Sequence, residues 1–154
     1  MKSLVVYYSK TGNTEKVARA IAKGLGADLK RVEEVHDISG YDLICVGTPV
    51  YAFAPAKQMI KFLEEIPPLS NIKGIGFCTM NGIGDKRTLR IIEEKMKIKG
   101  ITFLGGFSCR GLSGILANIS LRIFNKERPD EEDLRKAEDF GKRILEFKYN
   151  EEIN

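Results

Sequence analysis

Ser9-Lys10-Thr11-Gly12-Asn13-Thr14 (SKTGNT) lies between SLVVYY, residues 3–8, and EKVARAIAKGL, residues 15–25. The run before it is short, β-branched and aromatic, the composition of a strand buried on both faces. The run after it places Val17, Ala20, Ile21 and Leu25 on one helical face and ends at Gly26, a natural helix stop. SKTGNT is therefore a strand-to-helix turn. Five of its six residues carry a hydroxyl, an amide or no side chain.

The same alternation continues outward. ADLKRVEEV (27–35) is a weaker strand candidate near a sheet edge, and HDISGYD (36–42) is too short and turn-rich for a full helix. DLICVGTPVY supplies a third strand, Leu43 to Gly47, ended by Pro49. APAKQMIKFLEEI is helical, with Met59, Ile60 and Leu63 inward and Pro67-Pro68 as its stop. KGIGFCTM and ITFLGGFSC are the fourth and fifth strands, separated by a helix over DKRTLRIIEEKMKIKG that ends at Gly100. PDEEDLRKAEDFGKRILEF opens with Pro and three acids in its first turn, a sound helix start. Strands alternating with helices predict an α/β three-layer sandwich, with a five-stranded parallel sheet, right-handed crossovers and helices on both faces.

Length and composition agree with a single domain over residues 1–154, able to bury about 70% of its unfolded surface. Hydrophobic residues make up 43% and charged residues 30%, as in ordinary globular chains. No apolar run approaches the roughly 18 residues of a membrane span. MKSLVVYYSK lacks a signal-peptide cleavage pattern, so the expected location is cytoplasmic. The net charge of +4 comes from Lys and Arg interspersed with Glu and Asp, the pattern of solvated faces and not of a nucleic-acid patch. Cys45, Cys78 and Cys109 lie about thirty residues apart without a CxxC pair, so neither a disulfide framework nor a zinc set is expected. They read as fillers at strand ends. His36, the single histidine, reads as an exposed loop residue.

Ligands of such sheets bind beyond the carboxyl ends of the strands, where the strand order reverses. The loops there are SKTGNT, TPVYAFAPA (48–56), TMNGIGD (79–85) and SCRGLSG (108–114). None offers clustered carboxylates or histidines, which excludes several chemistries. Ser9 and Lys10 stand where a receiver domain would need paired acids for magnesium. GxGxxG and GxxxxGK[ST] are both missing after the first strand. A Ser/His/Asp arrangement has no suitable histidine, and Ile115 stands where a small tyrosine phosphatase would need Arg six residues after Cys109.

The first loop offers uncharged donors instead. Backbone N–H groups from Lys10 to Thr14, the hydroxyls of Ser9, Thr11 and Thr14 and the Asn13 amide surround Gly12, which permits close approach. The helix beginning near Thr14 adds its positive dipole end. This is a phosphate cradle needing no metal. A plain helix cap at Asn13 or Thr14 accounts for one or two of these residues but not for the run. Tyr51, two places beyond the rigid Pro49, is placed to stack on a planar ring, with Phe53 a second candidate. Asn81-Gly82 tolerates left-handed turns and can present backbone groups to a heterocycle. A phosphate site, an aromatic platform and a backbone-lined rim on one sheet edge suggest flavin mononucleotide (FMN).

VVYYSKTGNTEKVA resembles the flavodoxin signature, a strand followed by [S/T]-x-T-G-N-T and a helix; LICVGTPVY and PDEEDLRKAEDFGKRI are also similar to small members of that family. The resemblance covers nearly the whole chain. It implies the flavodoxin-like fold, strand order 2-1-3-4-5 and non-covalent FMN. The phosphate would then sit on Ser9, Lys10, Thr11, Gly12, Asn13 and Thr14. The ring would lie between Thr48, Pro49, Val50, Tyr51 and Ala52 on one side and Thr79, Met80, Asn81, Gly82 and Gly84 on the other.

Two features depart from the family. Single-electron flavodoxins are commonly acidic and this chain is not, which bears on its partners. Its third-strand loop lacks the glycine often found there, and Ala52 turns a carbonyl toward the reduced flavin less easily than Gly, at a cost of about 1 kcal/mol or more wherever φ is positive. Three functions stay open. One is an FMN electron carrier serving a redox partner protein, with no catalytic acid or base and no metal. Another is an FMN-dependent NAD(P)H:quinone or flavin oxidoreductase. The third is a non-redox binding module of the same fold. RGLSGILANISLRIFNKER (110–128), with Ile115, Leu116, Ile119 and Ile123 at helical spacing, reads as an extra packed helix or as a cover over the site, and residues 111–125 also offer a homodimer surface.

Overall fold

A computed structural model describes residues 1–111 and 128–153, with side chains of the last helix described as far as residue 147. Its parallel sheet runs in the order β2-β1-β3-β5-β6, from β1 (Ser3–Tyr7), β2 (Asp28–Arg31), β3 (Leu43–Tyr51), β5 (Lys73–Met80) and β6 (Thr102–Arg110). A short β4 (Ala54–Pro55) pairs antiparallel with the end of β3. The helices are α1 (Asn13–Leu25), α2 (Lys57–Glu65), α3 (Asp85–Ile98) and α4 (Glu131–Ile153).

Period-two alternation within the strands divides the core. Leu4, Val6, Ile44 and Val46 meet Met59, Phe62 and Leu63 of α2 and Ile92 and Met96 of α3 on one face. Val5, Tyr7, Leu43, Cys45, Ile75 and Phe77 meet Val17 and Ile21 of α1 and Ala137 of α4 on the other. These two apolar layers make the predicted three-layer sandwich. Ile60, expected inward on α2, is only half-buried, and Phe62 closes that face instead.

Two helix ends agree with their sequence signals. Gly26 takes a left-handed conformation and its N–H caps α1. α3 ends at Ile98, just short of Gly100. β2 is a short edge strand followed by one 3-10 turn, Val32–Glu34, so the 36–42 link carries no full helix.

The third strand differs from expectation. Pro49 does not end it: β3 continues to Tyr51 and turns back into β4, Val50 opposite Pro55 and Tyr51 opposite Ala54. Proline is tolerated because β1 ends opposite Gly47, so at Pro49 the strand is paired in the parallel sheet only with β5, opposite Thr79. The proposed stripe of Ile115, Leu116, Ile119 and Ile123, and with it the covering or dimer-forming role of 111–125, lies outside the described residues apart from Gly111.

Candidate functional site

β1 delivers the chain to the carboxyl edge of the sheet, and α1 starts six residues after Tyr7. Gly12 is the residue before the helix, at φ 91°, and no side chain caps the helix end. The simple helix-cap reading of Asn13 or Thr14 is thereby overturned, since both are already helical. Ser9 is buried and its Oγ accepts the Gly12 N–H at 3.1 Å, closing the loop. The Arg31 guanidinium donates to the Ser9 carbonyl at 3.1 Å and lies over the Tyr7 ring, 5.5 Å from its centroid. The N–H groups of a helix's first turn have no acceptor within the helix, and here that end opens into a cavity.

The cavity measures about 180 Å³ and is walled by Ser9, Lys10, Thr11, Asn13, Thr14, Pro49, Val50, Tyr51, Thr79, Met80, Asn81 and Gly111. Eleven of the sixteen residues predicted from sequence share this one wall. Thr14 and Thr79 join the first and fourth loops through a buried hydroxyl pair, 2.8 Å between oxygens. Tyr51 is 42% exposed, which leaves its ring available at the mouth. Burial is the main cause that raises the Tyr51 phenol above its ordinary pKa, so it stays neutral at physiological pH.

The other five predicted residues stand outside the wall. Gly12 lies behind it, shaping the turn. Thr48 is fully buried; its hydroxyl accepts the Ala56 N–H at 2.9 Å and donates to the Pro49 carbonyl, so it ties β3 to the start of α2. Ala52 sits at the exposed hairpin tip with φ 48°, beside Phe53 at φ 64°. Gly82 is exposed, and Gly84 precedes α3 at φ 107°, where a Cβ would stand 3.0 Å from Val50 Cγ1 and 3.1 Å from Phe53 Cδ1. Gly84 thus lets the fourth loop close onto the hairpin.

Gly111 is the wall residue that sequence reasoning passed over. A Cβ there would come within 3.3 Å of the Asn13 side chain and of Thr79. Its signal was a glycine directly after the fifth parallel strand, in a loop already placed at the ligand edge.

Among the described residues, Lys10 is the single charged residue of the wall and no carboxylate lines it. Among the described residues no group of three or more His, Cys, Asp or Glu could hold a metal. Uncharged donors, one exposed cation and a helix N-terminus suit a phosphate; an exposed phenol beside them suits a flat ring. Cys45, Cys78 and Cys109 are buried free thiols, and none of them lines this wall. No described helix is long and apolar enough to cross a membrane.

Comparison with known proteins places this geometry. The family model described as "Flavodoxin domain" matches residues 4–127. An uncharacterized protein of Methanocaldococcus jannaschii is 35% identical over 94% of this chain and 99% of its own length. A flavodoxin of Clostridium beijerinckii is 28% identical over 91% of this chain and 96% of its own. Among solved structures, a flavoprotein from Lactobacillus acidophilus in complex with FMN superposes with a TM-score of 0.61 at 20% identity, over 81% of this chain and 99% of that one. The sheet order, the turn at residues 9–14 and the extent of the family match have one conclusion: the chain belongs to the flavodoxin family.

Proposed function

We propose that the protein binds FMN without a covalent link and works as an electron-transfer flavoprotein of the flavodoxin type. The observation that carries the reading is the cavity wall itself: a helix N-terminus, hydroxyls and one lysine together with an exposed Tyr51, and no carboxylate among the described residues. The cofactor is FMN, in keeping with the family and with the bound group of the Lactobacillus acidophilus neighbour.

The residues divide the work. Thr11, Asn13 and the first turn of α1 hold the phosphate, and Lys10 offsets part of its charge. A cavity of about 180 Å³ takes the phosphate and the polyol chain, so the ring rests in the open part of the site. Tyr51 covers one face of that ring. The loop of Met80 and Asn81 offers backbone groups to its polar edge. When bound, the isoalloxazine supplies the electron chemistry, and the protein governs its potential and access. No Asp, Glu or His is among the described residues of the wall, and electron transfer requires none.

The test is an optical titration. FMN added to the apoprotein should bind one to one with a shifted flavin spectrum, while riboflavin should bind far more weakly. A chain that takes up no FMN would overturn the reading.

An FMN-dependent NAD(P)H:quinone or flavin oxidoreductase is the second reading. The glycine-free hairpin tip, with Ala52 and Phe53 both at positive φ, favours it, because a stiff tip resists the rearrangement that helps hold a single electron. Rapid NAD(P)H oxidation and direct passage to fully reduced flavin during stepwise reduction would select the oxidoreductase. Accumulation of a half-reduced form would select the carrier.

A further inference from the structure

The ring end of the site is apolar at its mouth and positive around it. Tyr51, Phe53 and Ile83 are 42%, 46% and 73% exposed. The close approach of Gly84 to Val50 and Phe53 brings the two loops bearing them together. Three exposed apolar side chains on one rim exceed the scattered exposure normal for a surface.

The charges beside this collar have one sign. Segments 48–58, 79–90 and 108–111 form the hairpin, the fourth loop with the start of α3, and the end of β6. They carry Lys57, Lys86, Arg87, Arg90 and Arg110 against a single acid, Asp85. Asp85 is half-buried and accepts the Ser108 hydroxyl at 3.0 Å, so it is turned toward the protein. The five cations are exposed. None forms an ion pair among the described residues, although ion pairs are frequent elsewhere on all four helices. The helix starts of α2 and α3 add positive potential at the same edge.

We infer that this collar is the docking surface for a redox partner protein that is acidic around its own redox centre. The inference rests on the electron-transfer reading above and adds the charge of the partner to it. An apolar centre ringed by unpaired like charges is the pattern by which complementary charge steers encounter while desolvated contacts hold the complex. A partner with a basic face would meet five exposed cations that form no ion pair among the described residues. Acidic protein surface is the chemistry that satisfies both the collar and its rim.

The experiment uses the full chain loaded with FMN and labelled with nitrogen-15. It is titrated with two protein probes, an oxidised acidic plant-type ferredoxin and a basic cytochrome c. The ferredoxin should shift the amides of residues 52–54 and 83–90, and its dissociation constant should rise about tenfold from low to physiological salt. Cytochrome c should leave those amides unmoved. Lys86→Glu with Arg87→Glu should weaken ferredoxin binding by about tenfold or more while FMN uptake stays unchanged. Lys57→Glu with Arg90→Glu, on two elements, is the second variant and should act in the same direction. Equal or tighter binding of cytochrome c, shifts confined to another face, or charge reversals without effect would overturn the inference. So would NADPH shifting the same amides while ferredoxin does not. FMN uptake is measured separately on every sample, and its failure would count against the proposed function, not against the docking charge.

Discussion

Thr11 and Thr14 stand three residues apart in the same turn, and the structure separates their roles. Thr14 is buried and bonded to Thr79, whereas Thr11 is exposed at the cavity wall. Replacing Thr11 with Ala should weaken FMN binding by about 1–2 kcal/mol, the worth of one charge-assisted hydrogen bond, and barely touch riboflavin. Replacing both with Ala should cost FMN a few kcal/mol by the same count. The double variant should also unfold more easily, because the Thr79 hydroxyl loses its buried partner. Parallel titrations with the two flavins check this, and equal losses would show the cradle to be misassigned. Ala52 gives a prediction of opposite sign. At φ 48° its Cβ strains the backbone by about 1–2 kcal/mol. Ala52→Gly relieves that and costs about 0.4–1 kcal/mol of unfolded-state entropy. The net expectation is a small stabilisation, read as a higher urea midpoint with unchanged slope. The turn at 9–14 was legible because an apolar strand run, a short polar stretch around Gly12 and an amphipathic helix run follow one another in the sequence. The strain at Ala52 and Phe53 was not, since nothing local in Ala-Phe announces a tight hairpin normally built with Asn-Gly.

At the scale of elements, the contact between α1 and α4 depends on two glycines. A Cβ on Gly24 would lie 2.1 Å from the Glu138 carbonyl oxygen, and one on Gly141 would lie 2.6 Å from the Ile21 carbonyl oxygen. Within an isolated helix Gly→Ala stabilises by up to about 1 kcal/mol. Here Gly141→Ala should instead destabilise by about 1–3 kcal/mol, as overpacked cores do. Denaturant unfolding of the variant decides the sign. The glycines themselves were visible in the chain, but not the fact that they face each other across two helices more than a hundred residues apart. The β3–β4 hairpin was missed for a related reason. Pro49 reads locally as a strand end, and only the pairing of Val50 and Tyr51 with a segment beyond the turn carries the strand past it.

The molecule as a whole should show an alkaline limit. Burial pushes the Cys78 and Cys109 thiols up to about 12, and the Cys45 thiol is raised by burial as well. In the unfolded chain these groups titrate near about 8.5. Their folded pKa lies above the unfolded one, so the stability linked to them is full below about 8.5 and is lost as pH rises toward 12. The urea midpoint should therefore fall across that window, and fall less in Cys78→Ala/Cys109→Ala. Native protein at neutral pH should resist iodoacetamide, which mass spectrometry reads directly.

Strand–helix alternation determined the three-layer α/β sandwich, because it depends on patterns that repeat within one element, while the strand order followed from the resemblance of VVYYSKTGNTEKVA and LICVGTPVY to the flavodoxin family. Tertiary structure decided the rest. It brought Thr14 against Thr79, set Gly111 against Asn13, folded Thr48 inward and set Gly84 of the fourth loop against Val50 and Phe53 of the hairpin. Each of those results depends on distances between segments far apart in the chain, and local sequence chemistry carries no record of them.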